Sequence, residues 1–81
     1  RTEPLRWISA SAGDVVRLIA IDEVLAFHAQ DKYTRVLTPD GEAVIRTPLK
    51  ELLQRLDESD WAQVHRSLIV RLAAVAELRK D

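Results

Sequence analysis

Pro39-Asp40-Gly41 stands between two runs of strand-forming residues, Tyr33 to Thr38 and Glu42 to Arg46. No other part of the chain restricts its fold as much. Proline presets φ at the first bend and glycine reaches positive φ at low steric cost, so the two runs are predicted to fold back on each other as an antiparallel hairpin. Upstream, Val24 to Ala29 reads as a further strand, separated from Tyr33 by the polar turn Gln30-Asp31-Lys32. In Val15 to Ile21, Val16, Leu18 and Ala20 occupy one alternating set and Val15, Ile19 and Ile21 the other. That pattern predicts a strand buried on both faces, with a short buried helix as the alternative. Trp7, Ile8 and Ala10 suggest a leading edge strand before a turn at Gly13 and Asp14.

The hairpin is followed by a helix signal. Thr47 is placed to act as the N-cap and Pro48 to fill the first helical position, where its missing N–H costs nothing. Leu49, Leu52, Leu53 and Leu56 then recur at spacings of three and four, and the helix is expected to end among Asp57, Glu58, Ser59 and Asp60. So short a helix holds only if its leucines pack on a sheet. Trp61, Val64 and Leu68 to Val70 read as strands, and Ala73 to Leu78 as a strand with a helical alternative. The sum is a mostly β fold with one short amphipathic helix.

An 81-residue chain forms one domain, and one of this size buries only about 60% of its unfolded surface, which leaves little room for an enclosed active site. The absence of cysteine excludes disulfides and thiolate metal sites, and no apolar run approaches the roughly 20 residues of a membrane-spanning helix. The net charge is −1, yet between Trp61 and Leu78 the basic residues Arg66 and Arg71 face a single acid, Glu77. Local placement of charge decides phosphate contact more than the total does.

The candidate chemistry centres on Val64-His65-Arg66-Ser67. His65 and Ser67 share a face of a strand, but no orienting group, oxyanion hole or pocket accompanies them, so a catalytic reading is weak and the chain is not read as an enzyme. His28, Asp31 and His65 lack any recognised metal-ligand spacing, and no metal or other cofactor is expected. Phe27, Tyr33, Trp7 and Trp61 are scattered among aliphatics, unlike the exposed stacking platforms of single-strand binders, and core filling is the expectation for Phe27 and Trp61. Arg66 suits a bidentate base contact or a phosphate, Ser67 a phosphate, and Lys32 an adjacent backbone position. The bland alternative is a solvated turn with Arg66 held by Asp57 or Asp60. His65 is read as an anchor, one ring nitrogen fixing the turn beside Arg66.

Three blocks together resemble the LytTR DNA-binding domain of bacterial response regulators: Asp22-Glu23-Val24-Leu25-Ala26-Phe27-His28-Ala29 leading into Asp31-Lys32-Tyr33-Thr34-Arg35-Val36; Arg46-Thr47-Pro48-Leu49-Lys50-Glu51-Leu52; and Trp61-Ala62-Gln63-Val64-His65-Arg66-Ser67-Leu68-Ile69-Val70. The resemblance covers essentially the whole chain, with Arg1 to Pro4 as a linker remnant and 5–81 as the domain. It implies a compact β-strand domain whose loops enter successive major grooves of promoter DNA, as a homodimer on repeated half-sites, in a two-component system of the bacterial cytoplasm, associated with the nucleoid when bound. An N-terminal receiver domain, absent from these residues, would relay the phosphorylation signal.

The resemblance maps DNA contacts onto Lys32 and Arg66, with Asp31 adjacent, Ser67 on a phosphate and His65 orienting. Lys32 stands where the family often has Asn, which favours phosphate over a planar base contact. Arg71 stands where Asn is common, so it implies either a lost turn cap or an added phosphate contact. Members continue past the position of Asp81 with a hairpin and a third contact loop. Their absence here implies an incomplete C-terminal region with an edge open to strand exchange or pairing with another copy. The early end and near-neutral charge also suit a protein-interaction or dimerisation module of the same fold with little DNA affinity.

Overall fold

Seven antiparallel strands make one open sheet in the computed structural model, which describes residues 4–79, with side chains through Val75. In chain order they are β1 (Trp7–Ala12), β2 (Val15–Ala20), β3 (Ala26–Gln30), β4 (Tyr33–Thr38), β5 (Gly41–Ile45), β6 (Trp61–His65) and β7 (Leu68–Arg71). Their spatial order is β2-β1-β5-β4-β3-β7-β6. Two helices, α1 (Leu49–Arg55) and α2 (Leu72–Arg79), and a 3-10 turn at Ile21–Glu23 complete the chain. The linker remnant proposed for Arg1 to Pro4 lies outside the described residues except for Pro4, which is exposed.

The β4–β5 hairpin forms as its sequence predicts, with Thr38 paired to Gly41 across Pro39 and Asp40. Gly41 adopts φ +131°, a conformation that side-chain-bearing residues rarely tolerate. Thr38 adds a device of its own. Its hydroxyl donates to the Gly41 carbonyl at 2.9 Å and accepts the Asp40 N–H at 3.2 Å, so the turn's polar groups are satisfied locally. The β3–β4 turn also spans two residues, with Gln30 paired to Tyr33 and Asp31 at φ +56°. Aspartate tolerates this left-handed region better than most side chains.

One face of the sheet carries the core. Phe27, Val36, Ala43 and Ile69 lie in register across β3, β4, β5 and β7, and the α1 leucines Leu49, Leu52 and Leu56 join the same buried cluster with Ile8, Ile19 and Trp61. Phe27 and Trp61 pack as a tilted pair with ring centroids 5.4 Å apart, so both fill the core as expected. Thr34, buried on the same face, donates its hydroxyl to the Thr47 carbonyl at 2.8 Å. That bond fixes the link between β5 and α1.

Several boundaries differ from the sequence reading. Thr47 is not the N-cap: Pro48 takes that position in an extended conformation, without a side-chain cap, and its carbonyl accepts from Glu51 and Leu52 at 3.1 and 3.2 Å. The helix stops at Arg55, before the acidic run. Residues 57–60 form a separate turn in which the Asp57 carboxylate accepts from the Ser59 hydroxyl at 2.7 Å and its N–H at 2.9 Å. Those bonds, the hydroxyl first, hold the Asp57 carboxyl below its ordinary pKa. The strand read at Ala73 to Leu78 is instead α2, since its alanines and leucines favour helix once β7 ends at Arg71. β1 is an interior strand, lying between β2 and β5. The edge is β2, and of the residues expected to be buried on its two faces only Ile19 is buried.

Candidate nucleic-acid interface

The β3–β4 and β6–β7 turns lie at the same end of the sheet. β7 is antiparallel to β3, with His28 opposite Leu68, so the turn preceding β7 must sit beside the turn that follows β3. The Ala29 N–H donates to the Ser67 carbonyl at 2.8 Å and ties the two together. Asp31 and Lys32 on one turn and Arg66 on the other, far away in sequence, thereby line one open depression of about 370 Å³, together with Pro48 and Leu49.

Arg46 belongs to the same depression and was not singled out from sequence. Thr34 pairs with Ile45 in the β4–β5 hairpin, so the next step of the register sets Arg46 against Tyr33. The guanidinium lies 5.6 Å from the centre of the Tyr33 ring, within cation–π range. The signal was present in the hairpin itself: once Thr38 and Gly41 are opposed across two turn residues, Arg46 can only fall opposite Tyr33.

Lys32, Arg46 and Arg66 against Asp31 give the depression a formal charge of three minus one, or +2, on a chain whose total is −1. All four are exposed. Arg66 makes no ion pair with Asp57 or Asp60, and Lys32 makes none among the described residues. An ion pair lies elsewhere, between Arg35 and Glu42, where mutual hydrogen bonding raises the arginine pKa and lowers that of the carboxyl. Arg35 also donates to the Gln30 side chain at 3.3 Å, bracing β4 against β3 just below the Lys32 turn.

His65 organises the other turn. Its Nδ1 lies 3.1 Å from the Ser67 backbone nitrogen and 2.8 Å from the Ser67 hydroxyl. A backbone N–H can only donate, so Nδ1 is the acceptor and the ring proton resides on Nε2. Gln63 donates to the Arg66 carbonyl at 3.3 Å across a register shift between Gln63 and His65. The bulge and these bonds hold a two-residue turn with Arg66 at its tip.

Arg71 is not brought to this cluster. It lies at the other end of β7, where Nε donates to the Val24 carbonyl at 2.7 Å, Nη2 donates to the Ile21 carbonyl, and the guanidinium stacks 4.5 Å from the centre of the Trp61 ring. Its backbone N–H donates to Leu25 at 2.9 Å. These bonds clamp the 3-10 turn onto the β6–β7 hairpin. Among the described residues no group of three or more His, Asp or Glu could hold a metal ion, and no helix is long and apolar enough to cross a membrane.

The family model for the LytTr DNA-binding domain matches residues 14–81. The chain belongs to the LytTR family. LytTR domains are non-catalytic DNA-binding modules, and the membership supports a general role in DNA binding for transcription regulation. The fold agrees with a LytTr DNA-binding domain from Bacillus cereus, TM-score 0.79 at 22% identity over 85% of this chain and 63% of that one. Among similar sequences, a response regulatory protein of Vibrio cholerae is 37% identical over 79 residues, covering 93% of this chain and 30% of that protein. A CO-responsive transcriptional regulator of Rhodospirillum rubrum is 36% identical over 94% of this chain and 32% of its own length. A positive alginate biosynthesis regulatory protein of Pseudomonas aeruginosa is 30% identical over 95% and 31%. This LytTR chain thus spans about a third of the length of the curated relatives it matches.

Proposed function

We propose that this LytTR chain is the output domain of a transcriptional response regulator and binds double-stranded promoter DNA through the two turns at one end of its sheet. The observation that carries the reading is the convergence of Lys32, Arg46 and Arg66 on one exposed depression of an otherwise net-acidic chain. Phosphate contact positions such a domain, and base contact gives it sequence preference. Lys32, at a turn tip, and Arg46, against Tyr33, supply charge to the backbone. Arg66 reads a base edge, because its planar fork matches guanine O6 and N7 bidentately.

His65 acts on Arg66 indirectly. With Nδ1 committed to Ser67, it sets the turn, while Nε2–H remains a donor for a phosphate oxygen. The Ser67 hydroxyl donates its one proton to His65 Nδ1 and would reach a phosphate only by giving up that bond, and Asp31 limits the charge of the depression or accepts from a cytosine amino group. Arg71 serves as the clamp rather than as a contact. Two copies on repeated half-sites would multiply the short readout of one domain, and the response regulatory protein of Vibrio cholerae is the relative that favours the signalling context.

The test begins by selecting duplexes from a random pool with the 81-residue chain, then titrating selected and scrambled sequences by fluorescence anisotropy. Arg66→Ala is expected to lose about 1–3 kcal/mol of discrimination between them. Equal weakening on both duplexes would assign Arg66 to the backbone. No salt-dependent binding by the parent chain would overturn the DNA reading.

A further inference from the structure

β2 is one edge of the sheet, and among the described residues its outer side pairs with no strand. The exposed large hydrophobic residues concentrate there: Trp7 is 57% exposed, Val15 61%, Val16 70% and Leu18 68%. Trp7 pairs with Ala20, Ser9 with Leu18 and Ser11 with Val16, so Trp7, Val16, Leu18 and Ala20 share the sheet face opposite the core. Sheet edges are ordinarily blunted by charges, prolines or bulges. β2 runs through six consecutive pairs with β1 without a register shift, contains no proline, and carries one charge, Arg17.

We infer that β2 is a self-association edge, on which a second copy of this chain adds its own β2 antiparallel across a dyad at Leu18. The register follows from symmetry and charge. A two-fold axis normal to the sheet requires opposed residues to share a face, so the dyad must pass through a residue. Within Val15–Ala20 only dyads at Arg17 and Leu18 overlap five residues. The Arg17 dyad sets two guanidinium groups directly opposite, which destabilises a strand pair. The Leu18 dyad instead opposes Leu18 to Leu18, Val16 to Ala20 and Arg17 to Ile19.

This register also accounts for the exposed tryptophan. Ala20 lies beside Trp7 in its own copy and opposite Val16 of the second, so each Val16 is delivered toward the other copy's Trp7. A strand with apolar residues on both faces and its single charge off the dyad is its own complement. Five residues and a flanking indole place the interface in the small class, below about 1,200 Å², where association is weak in free solution. Neighbouring half-sites on one duplex would supply the effective concentration such an edge needs. The inference does not rest on the DNA reading, and its test uses no DNA.

The chain has no cysteine, so single thiols report single positions. In the Leu18 register, thiols introduced by Leu18→Cys sit on directly opposed residues with Cα atoms about 4.5–5.5 Å apart, inside the disulfide range. Those introduced by Val16→Cys, which keeps Arg17, face Ala20 and lie about four residues apart along the strands, well over ~7 Å and outside it. Under mild oxidation, Leu18→Cys is expected to form covalent dimer faster than Val16→Cys by about tenfold or more. Sedimentation should show the parent mass rising from one copy to two with concentration, while Leu18→Lys, folded by circular dichroism, stays at one. The inference is overturned by cross-linking of Val16→Cys as fast as Leu18→Cys, by a parent mass fixed at one copy, or by parent-like association of Leu18→Lys.

Discussion

The two edges of this sheet carry opposite chemistry. β6 begins at the buried Trp61, then turns outward through Gln63, Val64 and His65, with a register shift that breaks the edge before the Arg66 turn. β2 is regular along its whole length, apolar on its outer face and nearly uncharged. One edge is bent into a platform for a basic side chain, and its irregularity also removes it as a template for strand addition. The other keeps its backbone groups straight and available. A small domain can thus divide its two edges between reading a partner and meeting a copy of itself, with a single core between them.

The two tryptophans give the largest contrast. Trp61→Ala at the β6 edge should cost about 3–5 kcal/mol of unfolding free energy, because it opens a cavity beside Phe27 and removes the ring under Arg71. Trp7→Ala beside the β2 edge should stay within about 0.5 kcal/mol in the monomer. Denaturant titration of both variants checks this, and comparable losses would break the contrast between the edges. Arg71→Ala should cost about 1.5–3 kcal/mol in the same assay, through the carbonyls of Ile21 and Val24 left without their charged donor. A stability loss within error would return Arg71 to the list of candidate DNA contacts.

Smaller effects sharpen the site. Lys32→Ala and Arg46→Ala should each weaken binding evenly across duplex sequences and lower the slope of log affinity against log salt by about 0.9. A change in sequence preference on Arg46→Ala would make it a base reader instead. The smallest effect concerns the turn after α1. The Asp57 carboxyl has its folded pKa depressed by Ser59, so its contribution to stability is present above the unfolded value and is lost as pH falls through the folded value. Thermal unfolding of Ser59→Ala against the parent should therefore show a small deficit at neutral pH that closes on acidification. A deficit independent of pH would remove the Asp57 bonds as its cause.

Local chemistry was readable where neighbours in sequence decide the structure. The Pro39-Asp40-Gly41 hairpin, the α1 leucine stripe and the core role of Phe27 and Trp61 all depend on short-range pattern or bulk apolarity. The N-cap was displaced because a distant side chain, Thr34, engages the Thr47 carbonyl and Pro48 stays extended. β2 was misread as a doubly buried strand because an apolar run carries no mark of its place in a sheet, and only the strand order makes it an edge. The sequence offers Arg71 only as a lost turn cap or an added phosphate contact for a similar reason, since its partners Val24 and Ile21 lie 47 and 50 residues away. Lys32 and Arg66 are expected contacts from their basic side chains beside turns and from the family resemblance, whereas Arg46 required the hairpin register to be followed one step past the strand.

The central claim is that Lys32, Arg46 and Arg66 form one phosphate- and base-contacting surface, and the salt dependence of DNA binding tests it most directly. For the Lys32→Ala, Arg46→Ala, Arg66→Ala triple variant at low salt, the log–log slope should fall below that of the parent by about 1.8, the sum of the two lost phosphate contacts, while loss of Arg66 removes the preference between sequences. An unchanged slope with parent-like affinity would place the DNA on another surface of the domain.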